Sequence, residues 1–234
     1  MTTNSVIGWS LDEMAARIAR DLEPGSCVNL GIGMPTAVAA HLEAAAGVVV
    51  TSENGLIGIG PPPASGEEDP NTVDAGKKPV TLIPGAAIVH QADSFALIRG
   101  GRLDVAVLGA FQVSEKGDLA SWRLPNEPIG SVGGAMDIAI GARQLYVIMN
   151  HCDKSGRPKV VTRCSYPLTA RQCVNRIYTD LAVIDVTERG LIVREIHPGL
   201  SFEELVTRTE APMMREPLED LSPLLHGGAQ ATAF

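Results

Sequence analysis

The chain has 234 residues, of which 45% are hydrophobic and only 4% aromatic, and its formal net charge is −8 at pH 7. This length allows one sizeable core, and the aliphatic bias is typical of a Val-, Ile- and Ala-rich sheet covered by helices. The acidic charge, without a cluster of Lys and Arg, argues against a nucleic-acid partner because phosphate contacts need basic residues.

The cysteine usage and the hydropathy pattern point to a cytoplasmic protein. The four cysteines show no C-x-x-C spacing and no regular framework, and the chain is larger than secreted domains that depend on disulfides. The N-terminus has no apolar signal core, and no stretch approaches the ~20 apolar residues of a membrane helix. We therefore expect reduced thiols in the cytoplasm and no membrane partner.

The N-terminal part of the chain alternates between predicted helices and strands. Apolar residues at helical spacing predict a first helix over 11–22, with Ser10 as its N-cap and Glu13 as the capping-box partner. Residues 27–30 predict a short strand, and a second helix is predicted over 35–44 because a proline opens it.

The rest of the chain predicts further strands of one α/β domain. We place the domain at residues 1–215 and expect 216–234, which are rich in Pro and Gly and lack periodicity, to form a mobile C-terminal tail. Apolar runs bounded by Gly, Pro, Asp or Asn predict core strands at 80–83, 105–108, 145–149 and 182–184, and helices are predicted at 94–98 and 169–177.

The most informative residue is Glu53, which follows the three valines of residues 48–50. The valines predict a buried strand, and the glycines that begin at Gly55 leave backbone N–H groups open to a ligand. Buried carboxylates are rare unless they are paired, hydrogen-bonded or used in chemistry. A partly desolvated carboxylate beside N–H donors can attack an acyl thioester, so we interpret Glu53 as a nucleophile. On local sequence alone, a structural glutamate paired with an arginine is the alternative.

A strand, a G-x-G turn and a predicted helix N-terminus follow one another at residues 29–36. Unpaired N–H groups and the helix dipole make this arrangement a general anion site, with Gly31 and Gly33 at the turn. The dinucleotide fingerprint needs a third glycine where this chain has Thr36, although Glu53 has the spacing of a ribose-binding acid. A nicotinamide-dependent oxidoreductase that uses Gly31, Gly33 and Glu53 therefore stays as an alternative from another class.

Paired glycines, Gly133 and Gly134, precede another helix-like apolar run. Glycine permits close backbone approach to a ligand, although a plain tight turn would explain the same residues. His151, Cys152 and Cys164 could suggest a metal site, but a zinc site needs four ligands at recognisable spacing. We therefore predict no metal.

Five motifs lie in order along the chain: G-I-G-M-P-T (31–36), S-E-N-G-L-I-G (52–58), G-A-F-Q-V-S (109–114), G-D-L-A (117–120) and G-G-A-M-D (133–137). Together they are specific: from about residue 9 to residue 213 the chain resembles the B subunits of the class I (3-oxoacid) coenzyme A transferases. Two departures from the family pattern, at Val50-Thr51 and at Ser121, do not touch the nucleophile.

The resemblance implies an open, mostly parallel sheet flanked by helices. It also implies that the chain pairs with an A subunit of the same family, and that this heterodimer commonly doubles to an A2B2 heterotetramer. It implies that Glu53 carries CoA as a thioester and that the backbone N–H of Gly134 binds the oxyanion, with a glutamine of the A subunit completing that site. Coenzyme A is then a substrate, and no cofactor is expected. Further contacts with CoA or substrate are expected at Gly31, Gly33, Asn54, Gly55 and Gly133.

Within the family, residues 110–114 and 141–144 look most like the 3-oxoadipate transferases. The implied reaction moves CoA from succinyl-CoA to 3-oxoadipate by ping-pong exchange through Glu53, with acetoacetate as the near alternative acceptor. A non-catalytic or hydrolytic relative that binds a CoA ester in the same pocket is a third alternative. The second carboxylate of such a substrate requires a cationic partner, which the sequence does not identify.

Overall fold

The structure is a computed structural model that describes residues 7–43, 46–125 and 127–215, so the predicted tail at 216–234 lies outside the described residues. The helices are α1 (Leu11–Arg20), a 3-10 helix (Met34–His41), α2 (Gln91–Arg99), α3 (Ala135–Gly141) and α4 (Phe202–Thr207). The strands are β1 (Cys27–Leu30), β2 (Val49–Ser52), β3 (Leu56–Ile59), β4 (Leu82–Ile88), β5 (Leu103–Gly109), β6 (Gln112–Ser114), β7 (Leu119–Ala120), β8 (Ala142–Ile148), β9 (Val160–Val161), β10 (Arg176–Tyr178), β11 (Ala182–Thr187), β12 (Gly190–Ile196) and β13 (Met213–Arg215).

A ten-stranded sheet in the order β13-β12-β11-β10-β8-β5-β1-β2-β3-β4 organises the described chain. Its central strands, from β10 through β8, β5 and β1 to β2, pair in parallel, and the antiparallel pairs lie toward the two ends. A separate three-stranded sheet has the order β7-β6-β9. The predicted open, mostly parallel α/β sheet is confirmed. No helix among the described residues is long and apolar enough to cross a membrane.

The core lies on both faces of the sheet. In β5, Val105 and Val107 belong to the cluster that contains the buried face of α1, whereas Ala106 and Leu108 belong to the cluster that contains residues of α2, α3 and α4. Strands covered on both faces read as continuous apolar runs, which is why these strands were predictable. The core strands predicted at 105–108, 145–149 and 182–184 are confirmed.

Helix α1 begins where the sequence predicts. The backbone N–H of Glu13 donates to Ser10 Oγ at 3.2 Å, and the backbone N–H of Ser10 donates to the Glu13 carboxylate at 2.7 Å. This capping box satisfies N–H groups that the first turn leaves unpaired. Met14, Ala15 and Ile18 form the buried face, which packs against the same cluster as β1 and so fixes that strand from one side.

The helix predicted at 169–177 is wrong. The backbone N–H of Gln172 donates to Asp118 Oδ1 at 3.1 Å and that of Cys173 donates to the Gly117 carbonyl at 3.0 Å. Gln172 also has a positive φ of 48°, which a helix does not allow. The segment satisfies these backbone donors at the 117–118 turn, so it stays irregular, with a bend at residues 171–172, until β10 begins.

Two other predicted elements differ in type or position. The strand predicted as a core strand at 80–83 begins at Leu82, runs to Ile88 and forms the exposed edge of the sheet, where β3 is its one neighbour among the described strands. The helix predicted at 35–44 is a 3-10 helix that ends at His41, and its N-cap, Gly33, has no side chain to cap an α-helical turn. The last residue of that prediction, 44, lies outside the described residues.

Candidate active site

The candidate site lies at the carboxyl ends of three neighbouring parallel strands. Gly31 follows β1, Glu53 follows β2 and Ala110 follows β5. Because these strands lie in the order β5-β1-β2, all three residues emerge at one edge of the sheet. The chain proceeds from β1 to β2 on one side and from β5 to β8 on the other. This divergence makes the β1–β5 junction a topological switch point, where open α/β sheets bind ligands.

A cavity of about 420 Å³ opens at this switch point. Its walls include Gly31, Ala110 and the segment 131–135, together with the side chain of Glu53. Glu53 also borders a second cavity, of about 240 Å³, whose other walls include residues 74–76. A ligand that reaches the Glu53 carboxylate can therefore be held on two sides of it.

Glu53 is held by a buried asparagine on the neighbouring strand. Asn29 is fully buried in β1, and its Nδ2 donates to Glu53 Oε2 and to the Thr51 carbonyl, both at 3.3 Å. Asn29 Oδ1 has no hydrogen-bond partner among the described residues. Glu53 itself is half-buried. The structure thus presents a partly desolvated, oriented carboxylate, which is what nucleophilic attack on a thioester requires.

Gly134 lies beside Glu53 in the same cavity. A Cβ placed on Gly134 would lie 3.6 Å from Glu53 Cγ and 2.7 Å from Phe95 Cζ, so this close approach requires glycine. Within the described residues, the N–H of Gly134 has no acceptor, so it is free to donate to a ligand. Gly133 also lines the cavity and has a φ of 49°. The structure therefore brings the predicted nucleophile and the predicted oxyanion donor together.

The predicted contacts differ in how they relate to the cavity. Gly31 lines it, and a Cβ on Gly31 would lie 2.9 Å from Leu108 Cδ2, so glycine keeps that wall clear. Gly33 is exposed at the start of the 3-10 helix and lines neither of the cavities that Glu53 borders. The turn at 31–33 therefore contributes one of its two glycines to the site.

Asn54 and Gly55 do not line either cavity beside Glu53; they hold the backbone that follows Glu53 in place. Asn54 Nδ2 donates to the Val73 carbonyl at 2.8 Å, which ties the segment after Glu53 to the loop that walls the smaller cavity. Gly55 has a φ of 118°, and the Val89 carbonyl oxygen occupies the place that a Cβ would take. Both residues fix the backbone that carries Glu53.

Lys159 also lines the larger cavity, and it is a site residue that was not predicted from the sequence. Burial lowers the pKa of its ammonium group to about 8. Lys159 immediately precedes the two-residue strand β9, which pairs with β6. No local pattern marks this lysine, because it reaches the cavity through a tertiary pairing.

The residues considered for a metal site are satisfied in other ways. His151 is fully buried, and its two ring nitrogens lie 3.0 Å from Thr179 Oγ1 and 2.8 Å from Thr209 Oγ1. Burial raises the pKa of the Cys164 thiol to about 12 and lowers that of His151 to about 4. The described residues contain no group of three or more His, Cys, Asp or Glu side chains that could hold a metal ion.

Comparisons with known proteins show which family the chain belongs to. Residues 11–208 match the family model described as Coenzyme A transferase. The chain is 55% identical over 207 residues to the B subunit of the 3-oxoadipate CoA-transferase of Pseudomonas putida, which covers 88% of this chain and 97% of the relative. It is 46% identical over 198 residues to the B subunit of a probable succinyl-CoA:3-ketoacid coenzyme A transferase of Bacillus subtilis, with 85% and 92% covered.

The fold is also similar to that of a solved enzyme. The apoenzyme of an acyl-CoA transferase, YdiF, from Escherichia coli O157:H7 superposes with a TM-score of 0.73 at 20% identity. The match covers 93% of this chain and 44% of the solved chain, so this chain spans less than half of that protein. The two sequence matches extend over most of both partners, and they confirm the resemblance carried by the motifs. The chain belongs to the coenzyme A transferase family and, within it, to the B subunits of the class I enzymes.

Proposed function

We propose that this chain, paired with an A subunit of the same family, transfers CoA from succinyl-CoA to 3-oxoadipate through a thioester on Glu53. The observation that carries the proposal is the half-buried Glu53 carboxylate, oriented by Asn29 and placed beside the free N–H of Gly134. The acceptor is supported by the higher identity to the relative named for 3-oxoadipate, 55%, than to the relative named for 3-ketoacids, 46%.

The first half-reaction loads CoA onto the enzyme. A Glu53 carboxylate oxygen attacks the thioester carbonyl of succinyl-CoA, and the C–S bond breaks to give a mixed anhydride and the CoA thiolate. The thiolate then attacks the Glu53 carbonyl of the anhydride, which releases succinate and leaves a glutamyl-CoA thioester. The N–H of Gly134 stabilises the oxyanion in these steps, and removal of one such donor typically costs about 2.7–4 kcal/mol of barrier.

The second half-reaction runs the same steps toward the acceptor. A carboxylate oxygen of 3-oxoadipate attacks the glutamyl-CoA carbonyl and expels the thiolate, which forms a second mixed anhydride. The thiolate then attacks the acyl carbonyl of that anhydride, so that 3-oxoadipyl-CoA leaves and the Glu53 carboxylate is regenerated. Free CoA does not accumulate, because each thiolate is consumed in the next step.

The partner is an A subunit that supplies the second oxyanion donor, the glutamine that the family resemblance implies. We propose that the two chains form an A2B2 assembly in the cytoplasm. All four cysteines are free thiols, which agrees with a reducing compartment.

The oxidoreductase alternative receives less support from the site. It requires Gly31, Gly33 and Glu53 to surround one cofactor, but Gly33 lines neither cavity beside Glu53. The family match over residues 11–208 also favours CoA transfer. A hydrolytic relative would use the same pocket and is distinguished by its product, free CoA.

The decisive experiment is mass spectrometry of the complex of both subunits after incubation with succinyl-CoA alone. We expect the peptide that contains Glu53 to gain the mass of CoA less one water, and we expect 3-oxoadipate to remove this adduct and yield 3-oxoadipyl-CoA. The Glu53→Gln variant should fold, assemble and form no adduct. As the matched control, Glu67→Gln changes an exposed acid outside both cavities and should load CoA normally.

Two outcomes would contradict the proposal. A Glu53→Gln complex that still exchanges CoA would show that another group is the nucleophile. A wild-type complex that releases free CoA from succinyl-CoA, without an acceptor and without transfer when 3-oxoadipate is added, would identify a hydrolase.

A further inference from the structure

The larger of the two cavities beside Glu53 is also lined by Lys159, and the proposed chemistry gives this lysine no role. Among the described residues that line this cavity of about 420 Å³, Glu53 and Lys159 are the two with charged side chains. Glu53 attacks the acyl group as an anion, whereas an ammonium group takes no part in the bond exchanges of the two half-reactions. A lysine in such a position requires another explanation.

The backbone of Lys159 is fixed on both sides, so the position of its side chain is determined by the fold. Its N–H donates to the His151 carbonyl at 2.9 Å, and its carbonyl accepts from the N–H of Val113 at 2.9 Å. Lys159 precedes β9, which pairs in parallel with β6. The backbone of Lys159 is therefore anchored beside the three-stranded sheet, and the side chain is a flexible methylene stem attached to this fixed point.

The ammonium group of Lys159 has no ion pair and no hydrogen-bond acceptor within the described residues. Asp153, Asp180 and Cys152 are the titratable groups that act on it electrostatically, and each favours its charged form. Burial outweighs them, so the pKa of Lys159 falls to about 8. A half-buried cation without a partner is unfavourable, and an anionic ligand would relieve that cost.

Glu53 and Lys159 lie at different borders of the cavity. Glu53 is shared with the cavity of about 240 Å³ beside residues 74–76. Lys159 is shared with a neighbouring cavity of about 740 Å³ lined by Cys152 and Tyr166. A molecule that occupies the space between these borders can place one end at the nucleophile and the other end at the cation.

The two acyl groups of the proposed reaction have the same arrangement of charge. Succinyl and 3-oxoadipyl groups each carry a reacting carbonyl at one end and a free carboxylate at the other, separated by two and by four carbons. Ping-pong exchange brings both acyl groups to the same site. A single cation on a flexible side chain can therefore reach the distal carboxylate of either acyl group. Acetoacetate lacks this second carboxylate.

We propose that Lys159 binds the distal carboxylate of the acyl group and thereby makes the enzyme selective for dicarboxylate substrates. This inference rests on the proposed function, since it assumes that acyl groups react at Glu53. It identifies the cationic partner that a second carboxylate requires. Lys159 is thus a specificity determinant and takes no part in the bond exchange.

The test compares two thioesters with the assembled complex of both subunits. The rate of glutamyl-CoA formation is measured with succinyl-CoA, which has the distal carboxylate, and with acetoacetyl-CoA, which lacks it. Lys159→Met should lower the apparent second-order rate about 10- to 100-fold with succinyl-CoA, the loss expected for a charged hydrogen bond, and by no more than about 2-fold with acetoacetyl-CoA. Lys159→Arg keeps the positive charge, so it should recover much of the rate with succinyl-CoA that Lys159→Met loses.

The pH dependence of the rate provides a second test, because a purely structural role of Lys159 would not change it. In wild type, the rate with succinyl-CoA should fall as the pH rises through about 8, where Lys159 loses its proton, whereas the rate with acetoacetyl-CoA should not show this step. The step should be absent from Lys159→Met. Lys116→Met is the matched control, because Lys116 is exposed and lines neither cavity beside Lys159.

Equal losses with both thioesters, or no loss with either, would overturn the inference. Thermal unfolding of each variant separates a folding defect from a loss of recognition, and the folded Lys159→Arg variant decides the matter if Lys159→Met does not fold. Failure of the proposed function would look different, because the wild-type complex would then form no Glu53 adduct with either thioester.

Discussion

Asn29 and Glu53 lie at the ends of adjacent parallel strands, and one hydrogen bond of 3.3 Å from Asn29 Nδ2 to Glu53 Oε2 joins them. Asn29 is paired in register with Thr51, two residues before Glu53. The same amide group donates to the Thr51 carbonyl, so Asn29 contacts both the backbone of β2 and the carboxylate of Glu53 that follows it. The sheet register thereby sets the direction in which the carboxylate faces the cavity.

We predict that Asn29→Ala slows glutamyl-CoA formation about 5- to 10-fold, as expected for the loss of a single hydrogen bond. The apparent affinity for succinyl-CoA should change little, because Asn29 orients the nucleophile and does not line the cavity. The measurement is single-turnover adduct formation at varied substrate concentration. Thr51→Val is the matched control, since it removes the Thr51 Oγ1 to Val28 carbonyl bond between the same strands without touching Glu53. Equal slowing in both variants would contradict an orienting role.

The contact between Gly134 and Phe95 gives a second prediction. Gly134→Ala places a methyl group 2.7 Å from Phe95 Cζ, which displaces either the ring or the backbone that carries the free N–H. We expect adduct formation to fall about 100-fold or more, in the range found when one oxyanion donor is lost. Adding Phe95→Leu should relieve the contact and recover part of the rate. If the double variant is as slow as the single one, the steric explanation is wrong.

Gly55 gives a prediction about stability. Gly55→Ala combines a φ of 118° with an overlap of the new Cβ and the Val89 carbonyl, so both strain and steric clash oppose it. We expect a loss of at least about 2 kcal/mol in the free energy of unfolding, measured by denaturant titration. The matched control is Gly66→Ala, where φ is 89° but no atom lies within 4 Å of the Cβ. It should lose about 1 kcal/mol, from backbone strain alone.

The parts of the site that could be predicted are those encoded locally. Glu53 and Gly134 each lie in a contiguous motif, and the strands beside them are apolar runs because the sheet is covered on both faces. Lys159 and Asn29 could not be assigned in this way. Asn29 acts through the β1–β2 register, and Lys159 reaches the cavity through the β6–β9 pairing.

The failed elements have the same cause. Residues 169–177 have a helical pattern, but their backbone N–H groups pair with the distant turn at Gly117 and Asp118. The strand predicted at 80–83 has an apolar run, but whether a strand is central or at the edge depends on the order of the sheet. Such competition between local propensity and tertiary hydrogen bonds cannot be judged from one segment alone.

The buried His151 predicts how stability depends on pH. Its pKa in the folded protein is about 4, against 6.5 for an ordinary histidine, so between these values the unfolded chain binds a proton that the folded chain does not. The contribution of neutral His151 to the free energy of unfolding is therefore complete above about pH 6.5. It is lost as the pH drops toward 4, by about 3 kcal/mol for a pKa shift of this size. Denaturant titrations at pH 7, 6, 5 and 4.5 would measure this slope. His151→Gln removes the titrating ring that contacts Thr179 and Thr209 but keeps a polar amide, so it should flatten the slope over this range. An unchanged slope would assign the acid sensitivity to other groups.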